Sequence, residues 1–526
     1  MAKRRNSKPN SQSAAPAPMI DAPSPRLRAA RGLWNKGAHN DAIALFLEAI
    51  RQEPNNVQTY IVAARAYAEK YQFDRMDATL DKLVRRAPRH PGVHHYIGET
   101  FGSLKLPERA IASYETAARL PGAGPPTWME LAGLYERAHR LEEAQELIEK
   151  TVRTQFDHPL VALVRGRVQR RLKQYDLAEA TFHAAIQRTG DDSIVGCQAW
   201  GEIASMRDQA GDYEGAMEAI ERCKRVQRAH QEPYWTISEG VQSRLADMYG
   251  SLTRQDFQMW KSAASDLPPS RTALLTGFPR SGTTLLEQVL DAHPDLVSSE
   301  ERDFVGTELY CAIAQRRKAT PIVDLLNEVP KELIVSQRNR YFEAMEYLLG
   351  APIAGRMHLD KNPAYNLVIP LMLRIFPDAR LIVALRDPRD VVLSCYLRYL
   401  PLNSVSVRFL DPKRAAERYA FDMSAWLKFR EMIETPWCEV RYEDTVADVA
   451  TQARRALETL GLPWSDNVLN YRERLVGSTK QVTSPTYEAV ARPIYTNAIG
   501  RWKHYERLLE PAFESLSPFI SEFGYD

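Results

Sequence analysis

Ala42, Met76, Ala110, Ala144 and Ala178 recur at a spacing of 34 residues, and each is followed four positions later by a large apolar residue: Phe46, Leu80, Tyr114, Ile148 and Phe182. Positions i and i+4 share one face of an α-helix, so each pair marks a helix with a single buried stripe. Pro54 and Pro88 fall one period apart, where one unit must end and the next begin. A sixth unit, around Ala216 and Ile220, comes 38 residues after the fifth and so carries four extra residues. A lone helical hairpin cannot hide such a stripe. The array from about 25 to 235 must therefore stack into an α-solenoid with a concave face.

The 34-residue period resembles that of tetratricopeptide repeats, which implies that this half recruits a protein or peptide partner. Before it, residues 1–24 are rich in Ser, Pro, Ala and basic residues, and are expected to form a disordered tail. After it, residues 236–270, with Trp260 and the Pro268-Pro269 break, are expected to cap the stack and link it onward. At 526 residues the chain is too long for one core, and a further domain is expected over 271–526.

That domain opens on Leu274-Leu-Thr-Gly-Phe-Pro-Arg-Ser-Gly-Thr-Thr-Leu-Leu-Glu-Gln-Val-Leu290. Residues 274–278 are buried-strand material, Pro279 and Gly282 break the run, and a helix begins at Thr283 or Thr284 with Leu285, Leu286, Val289 and Leu290 on one face. Such a junction points unpaired N–H groups and a positive helix end at an anion, a phosphate or sulfate. Arg280, Ser281, Thr283 and Thr284 add side-chain donors. A triphosphatase loop would need lysine after the second glycine, but Thr283 follows Gly282.

A second buried run, Ala379-Arg-Leu-Ile-Val-Ala-Leu-Arg-Asp-Pro388, ends in a polar turn and a helix, and Trp437-Cys-Glu-Val-Arg-Tyr-Glu443 is a third strand candidate. Strands alternating with helices imply a mainly parallel sheet with ligands at the strand C-terminal ends. Asp291 to Glu301 is expected to be a turn, Leu359-Asp-Lys-Asn-Pro363 to lead into a helix, and 303–350 to be helix-rich. Ser394 and Arg398 lie one helical turn apart and are expected to share a face.

The net charge of +2 gives no reason to invoke nucleic acid. Five cysteines are scattered without zinc or disulfide spacing, so neither metal site nor disulfide framework is expected, and a reducing compartment is. The basic N-terminus lacks an apolar signal core, and no apolar run reaches the roughly 18 residues of a membrane span. The expected location is the cytoplasm, with the oligomeric state open.

Pro-Arg-Ser-Gly-Thr-Thr resembles the 5′-phosphosulfate loop of sulfotransferases that use 3′-phosphoadenosine 5′-phosphosulfate (PAPS), with Arg280 where many cytosolic relatives carry lysine. Arg386 with Ser394 resembles the family's 3′-phosphate site. Arg280-Ser-Gly-Thr-Thr-Leu, Leu290-Asp-Ala-His-Pro and Glu300-Glu301-Arg302 follow the spacing of the tyrosylprotein sulfotransferases. That resemblance covers about residues 270–505. It implies Glu301 as general base, Lys361 as the lysine that steadies the transferring sulfonate, and Arg398 and Tyr442 as further adenosine-phosphate contacts. Thr486-Tyr-Glu-Ala-Val-Ala-Arg-Pro-Ile-Tyr495 and Gly500-Arg-Trp502 are similar to the loop that closes over the nucleotide. There Thr486 stands where the family uses serine and Arg501 where it uses lysine.

The reading is thus a two-domain protein, a tetratricopeptide α-solenoid followed by a P-loop-like α/β sulfotransferase domain. The catalytic set is Arg280, Glu301, Lys361 and Thr486. The donor is held by Arg280, Ser281, Gly282, Thr283, Thr284, Arg386, Ser394, Arg398, Tyr442 and Arg501, without a metal. The acceptor is a hydroxyl, with a protein tyrosine favoured and a carbohydrate or small molecule as alternatives. A repeat scaffold that binds nucleotide without turnover is the contrasting reading, and the complete set Arg280, Glu301, Lys361, Arg386 and Ser394 argues against it.

Overall fold

The computed structural model describes residues 24–156, 158–314, 320–477 and 497–526. The tail expected over 1–24 therefore lies, apart from Ser24, outside the described residues. The chain divides into two compact units, one ending at Trp128 and the other running from Met129 to Asp526.

The first unit holds the hairpins α1 (Pro25–Asn35) with α2 (His39–Gln52), α3 (Val57–Glu69) with α4 (Phe73–Arg86), and α5 (Pro91–Ser103) with α6 (Pro107–Arg119). Ala42, Met76 and Ala110 are fully buried, and so, within a few per cent, are Phe46, Leu80 and Tyr114. Burying each large side chain contributes about 1.5–3 kcal/mol, which is what holds helix to helix in the absence of any sheet.

Helix α7 (Pro125–Arg137) follows, and in the second unit the pattern continues through α8 (Leu141–Arg153), α9 (Pro159–Arg171), α10 (Tyr175–Thr189), α11 (Ile194–Ala210) and α12 (Tyr213–Ala229). Ala144, Ala178 and Ala216 are again fully buried. The period is also written into the backbone: Gly37, Tyr71, Lys105, His139 and Lys173, 34 residues apart, all have positive φ, and Gly211 follows 38 residues later with φ 84°. Each sits where one helix of a hairpin turns into the next, a left-handed position most residues avoid. Ser193 and Asp212 cap α11 and α12 by accepting from the N–H groups of Gly196 and Gly215 at 2.8 and 2.9 Å. A longer helix, α13 (Glu232–Ser251), and a short one, α14 (Arg254–Ala263), follow, the latter burying Trp260.

Beyond α14 lies a five-stranded sheet, in the order β2-β3-β1-β4-β5, with every pairing parallel. Its strands are β1 (Thr272–Gly277), β2 (Leu296–Glu300), β3 (Met357–Lys361), β4 (Arg380–Leu385) and β5 (Trp437–Arg441). Leu275, Leu359, Ile382 and Val440 pack with Leu286, Val289 and Leu290 of helix α15 (Thr283–Asp291) in one apolar core. Central β1 has β3 on one side and β4 on the other, so the strand order reverses beside it and the loop after Gly277 stands at a topological switch point, where such sheets place ligands.

Two strands are additions to the sequence reading. Leu296–Glu300, expected as a turn, is edge strand β2, and the stretch before Asn362 is strand β3. β3 carries His358, Asp360 and Lys361, all fully buried, and hides its polar side chains by pairing them: His358 Nε2 lies 3.0 Å from Ser299 Oγ, and Tyr341 Oη donates to Asp360 Oδ2 at 2.7 Å.

Candidate active site

The loop from Phe278 to Gly282 is built on two left-handed residues, Arg280 (φ 76°) and Gly282 (φ 90°). A Cβ at position 282 would lie 2.6 Å from the Tyr442 ring, so glycine is required there both by conformation and by space. Above the loop is a cavity of about 560 Å³, within the usual range for a small-molecule site. Arg280, Gly282, Thr283 and Thr284 line it from β1 and α15, Glu301 from the end of β2, and Tyr442 from the end of β5. Arg386, Ser394 and Arg398 line it from the β4 side, and Arg501 from the C-terminal segment.

Ten of the thirteen expected site residues thus face one space. Ser281 is buried and lies off the cavity wall, as does Lys361. Thr486 lies outside the described residues.

The two anion loops are joined directly. Arg280 Nε donates to Ser394 Oγ at 3.0 Å, and Arg386 Nη1 donates to the Arg280 carbonyl at 3.1 Å. The Arg386 guanidinium lies 5.0 Å from the Tyr442 ring centroid, and its Nε, buried, has no hydrogen-bond partner among the described residues. An unmet, buried guanidinium donor at the cavity wall suits an anion. Nearby, Asp390 accepts from the N–H groups of Gly500 and Trp502 at 2.7 and 2.8 Å, which draws the segment carrying Arg501 against the start of helix α16 (Pro388–Tyr396). Burial holds the Asp390 carboxyl above the usual range, with Arg386 opposing.

One expectation is corrected here. α16 ends at Tyr396, so Arg398 leaves the helix and does not share its face with Ser394. The Arg398 carbonyl is instead captured by Lys224 Nζ at 2.8 Å. Arg501 also has a partner: its guanidinium meets Asp208 at 3.0 and 2.6 Å.

Glu301 terminates β2 with φ 49°, and its N–H donates to the Lys361 carbonyl at 2.7 Å. A left-handed glutamate held by a ladder-like bond is a strained position of the kind that accumulates at functional sites. Its side chain keeps 28% exposure toward the cavity. Behind it lies Lys361, fully buried, with Nζ 2.9 Å from Glu301, 3.4 Å from Glu300 and 3.6 Å from Glu287. Burial alone would depress this ammonium, but the three carboxylates outweigh it and hold it above the ordinary lysine value.

Glu287, on α15, is fully buried and receives the Ser298 hydroxyl at 2.8 Å. The sequence reading missed it, because its burial, which calls for a cationic partner, is set by the packing of α15 and not by a local pattern. Asp303 and Asn362, also missed, line the cavity. Both immediately follow residues that were singled out, so their place at strand ends was the available signal.

The arrangement combines donors for two anionic groups with a carboxylate at the opposite strand end. It can hold a doubly anionic nucleotide and take a proton from an acceptor beside it.

Residues 273–466 match the family model described as Sulfotransferase family, and residues 198–230 match a tetratricopeptide repeat. Protein-tyrosine sulfotransferase A of Caenorhabditis elegans is 25% identical over 279 residues, covering 51% of this chain and 72% of the relative. Protein-tyrosine sulfotransferase 1 of Danio rerio is 25% identical over 304 residues, covering 55% and 81%. Among solved structures, the sulfotransferase domain from the Synechococcus PCC 7002 olefin synthase aligns with a TM-score of 0.33 at 20% identity, covering 47% of this chain and 94% of that one. Residues 273–466 are thus similar to the sulfotransferase family and residues 198–230 to a tetratricopeptide repeat, and the relatives of the sulfotransferase-like part include protein-tyrosine sulfotransferases.

Proposed function

We propose that the protein transfers a sulfonate group from PAPS to a hydroxyl acceptor, with a protein tyrosine as the favoured acceptor. The observation that carries this reading is the joined pair of anion loops: Arg280 bonded to Ser394, and Arg386 bonded to the Arg280 backbone with a buried donor left unmet. A donor with a 5′-phosphosulfate and a 3′-phosphate needs two such sites on neighbouring strand ends, and β1 and β4 are neighbours.

In this reading the N–H groups at the start of α15, Thr283, Thr284 and Arg280 hold the phosphosulfate end, while Arg386, Ser394 and Arg398 hold the 3′-phosphate. Glu301 accepts the proton of the acceptor hydroxyl as its oxygen bonds to sulfur and the bond from sulfur to the 5′-phosphate oxygen breaks. Negative charge grows on the departing phosphate oxygen, where prepositioned donors stabilise it. Lys361 holds Glu301 in place from behind. Its contact with the sulfonate requires a rearrangement, since it lies off the cavity wall. The resemblance to protein-tyrosine sulfotransferases supports tyrosine as acceptor, and the solenoid architecture supports recruitment of a protein acceptor.

The test is transfer from labelled PAPS by the full chain to a panel of tyrosine peptides, glycans and small phenols, with calorimetry of 3′,5′-bisphosphoadenosine and ATP alongside. Transfer to tyrosine peptides with ATP binding much weaker is the expected result. Equal affinity for ATP overturns the donor assignment, and transfer to glycans or small phenols alone overturns the acceptor assignment.

A further inference from the structure

We infer that the last repeat hairpin, α11–α12, is a fixed wall of the active site, with Lys224 and Gln227 as positioning residues that set the cavity-lining segment 398–410. The inference rests on the proposed transfer reaction for its kinetic consequences, but its structural part stands apart from it.

Segment 398–410 supplies Arg398, Leu400, Pro401, Asn403, Val405 and Phe409 to the cavity wall, yet residues 399–403 have no regular secondary structure to hold them. A loop in this position fixes its backbone only if its carbonyls find partners. Three of them find partners on α12: Lys224 Nζ donates to Arg398 O at 2.8 Å, Gln227 Nε2 to Leu400 O at 2.7 Å, and Arg228 Nη2 to Leu410 O at 2.9 Å. Just before the segment, Tyr396 Oη donates to Glu221 Oε2 at 2.6 Å. On α11, a Cβ at Gly201 would lie 2.6 Å from the Tyr399 Cβ, so the loop is seated on a glycine that lets it approach this closely.

The same hairpin reaches the far side of the cavity, where Asp208 of α11 takes the Arg501 guanidinium and the Tyr505 hydroxyl. Packing of repeat helices explains none of this. Lys224 is 1% exposed, and burial depresses its ammonium to about 8, against the opposing influence of the thiols of Cys223, Cys395 and Cys197. A leucine there would pack a repeat without that penalty, whereas the ammonium is the group that reaches Arg398 O.

The experiment compares the full chain with Lys224→Met and Gln227→Leu, which keep most of the apolar stem and remove the donor. Hydrogen exchange of amides 398–410 should accelerate by about tenfold or more while β1 and β4 stay protected, the pattern of local and not global opening. Affinity for 3′,5′-bisphosphoadenosine should fall about tenfold in Lys224→Met, through misplaced Arg398, and recover in Lys224→Arg. In Gln227→Leu the acceptor KM should rise with nucleotide affinity nearly kept.

Unchanged exchange over 398–410 in both variants overturns the inference, as does equal acceleration throughout the sheet. If Lys224→Met does not fold, Gln227→Leu decides the matter by the same exchange measurement. Should the parent chain transfer no sulfonate to any acceptor, the proposed reaction fails, while the exchange result still decides whether α12 holds the loop.

Discussion

Lys361 Nζ lies 2.9 Å from Glu301 Oε1, so the residue proposed to take the acceptor's proton is held by a fully buried cation. The pair keeps the carboxylate in one place, which is what a positioned general base requires. Glu301→Gln retains the size and the hydrogen bond from Lys361 but cannot accept a proton. Turnover should fall by about 10²- to 10⁴-fold, with affinity for 3′,5′-bisphosphoadenosine nearly unchanged. Steady-state kinetics with calorimetry checks this, and a matching loss of nucleotide affinity would show that Glu301 acts on the donor instead.

Lys361→Ala should behave differently, because it leaves Glu287, Glu300 and Glu301 around a buried hole without their cation. Removing one partner of a buried ion pair destabilises by about 3–5 kcal/mol. Urea unfolding should therefore show a much larger loss for Lys361→Ala than for Glu301→Gln. Combining it with Glu287→Gln should recover part of the loss, since one uncompensated carboxylate is then gone. If the double variant is no more stable than the single, the carboxylate ring is not what Lys361 serves.

The repeat array and the β1 and β4 loops are legible in the sequence because their signals are local: a period of apolar side chains, or an apolar run broken by Pro and Gly. β3 is not legible, because it is only five residues long and three of them, His358, Asp360 and Lys361, are polar or charged yet buried, whereas a fully buried parallel strand is read by a continuous apolar run. The partners of its polar side chains, Ser299, Tyr341 and the three glutamates, come from other elements. For the same reason an isolated view of Lys361 makes it a surface lysine, and nothing local marks Glu300 as a buried partner of that lysine. The grip of α12 on segment 398–410 was equally hidden. Side chains that bond to a carbonyl some 170 residues away leave no periodic trace.

At the donor end, Arg386→Ala removes the unmet Nε together with the bond to the Arg280 carbonyl. Binding of 3′,5′-bisphosphoadenosine should weaken by roughly 1.5–3 kcal/mol, the range for a lost hydrogen bond to a charged group. Calorimetry at two salt concentrations separates a specific contact from general attraction, because only the latter is strongly screened. A loss that disappears at high salt would remove Arg386 from the 3′-phosphate site.

Asp360, beside Lys361 on β3, should give the fold a pH dependence of its own. Complete burial raises its carboxyl from the usual carboxylate value to about 7, against the Tyr341 hydroxyl that donates to Oδ2; Asp303 adds to the rise, and Lys361 and Arg302 oppose it. Its Oδ1 has no partner among the described residues, consistent with a protonated carboxyl. Because the folded value lies above the unfolded one, the native state holds a proton that the unfolded chain has lost anywhere between about pH 4 and pH 7. Stability from this group is therefore greatest at the acid end and is lost as pH rises through that window, by roughly 1.4 kcal/mol for each unit. Asp360→Asn accepts the Tyr341 bond but cannot ionise. Its unfolding free energy minus that of the parent should climb between pH 4 and 7 and level off above, whatever constant penalty the amide adds. Subtracting the two curves cancels the other titrating groups, and Asp303→Asn should shift the parent's midpoint downward. A difference that stays flat across the window would mean that Asp360 is ionised in the folded protein, with Lys361 serving it as well as the glutamates.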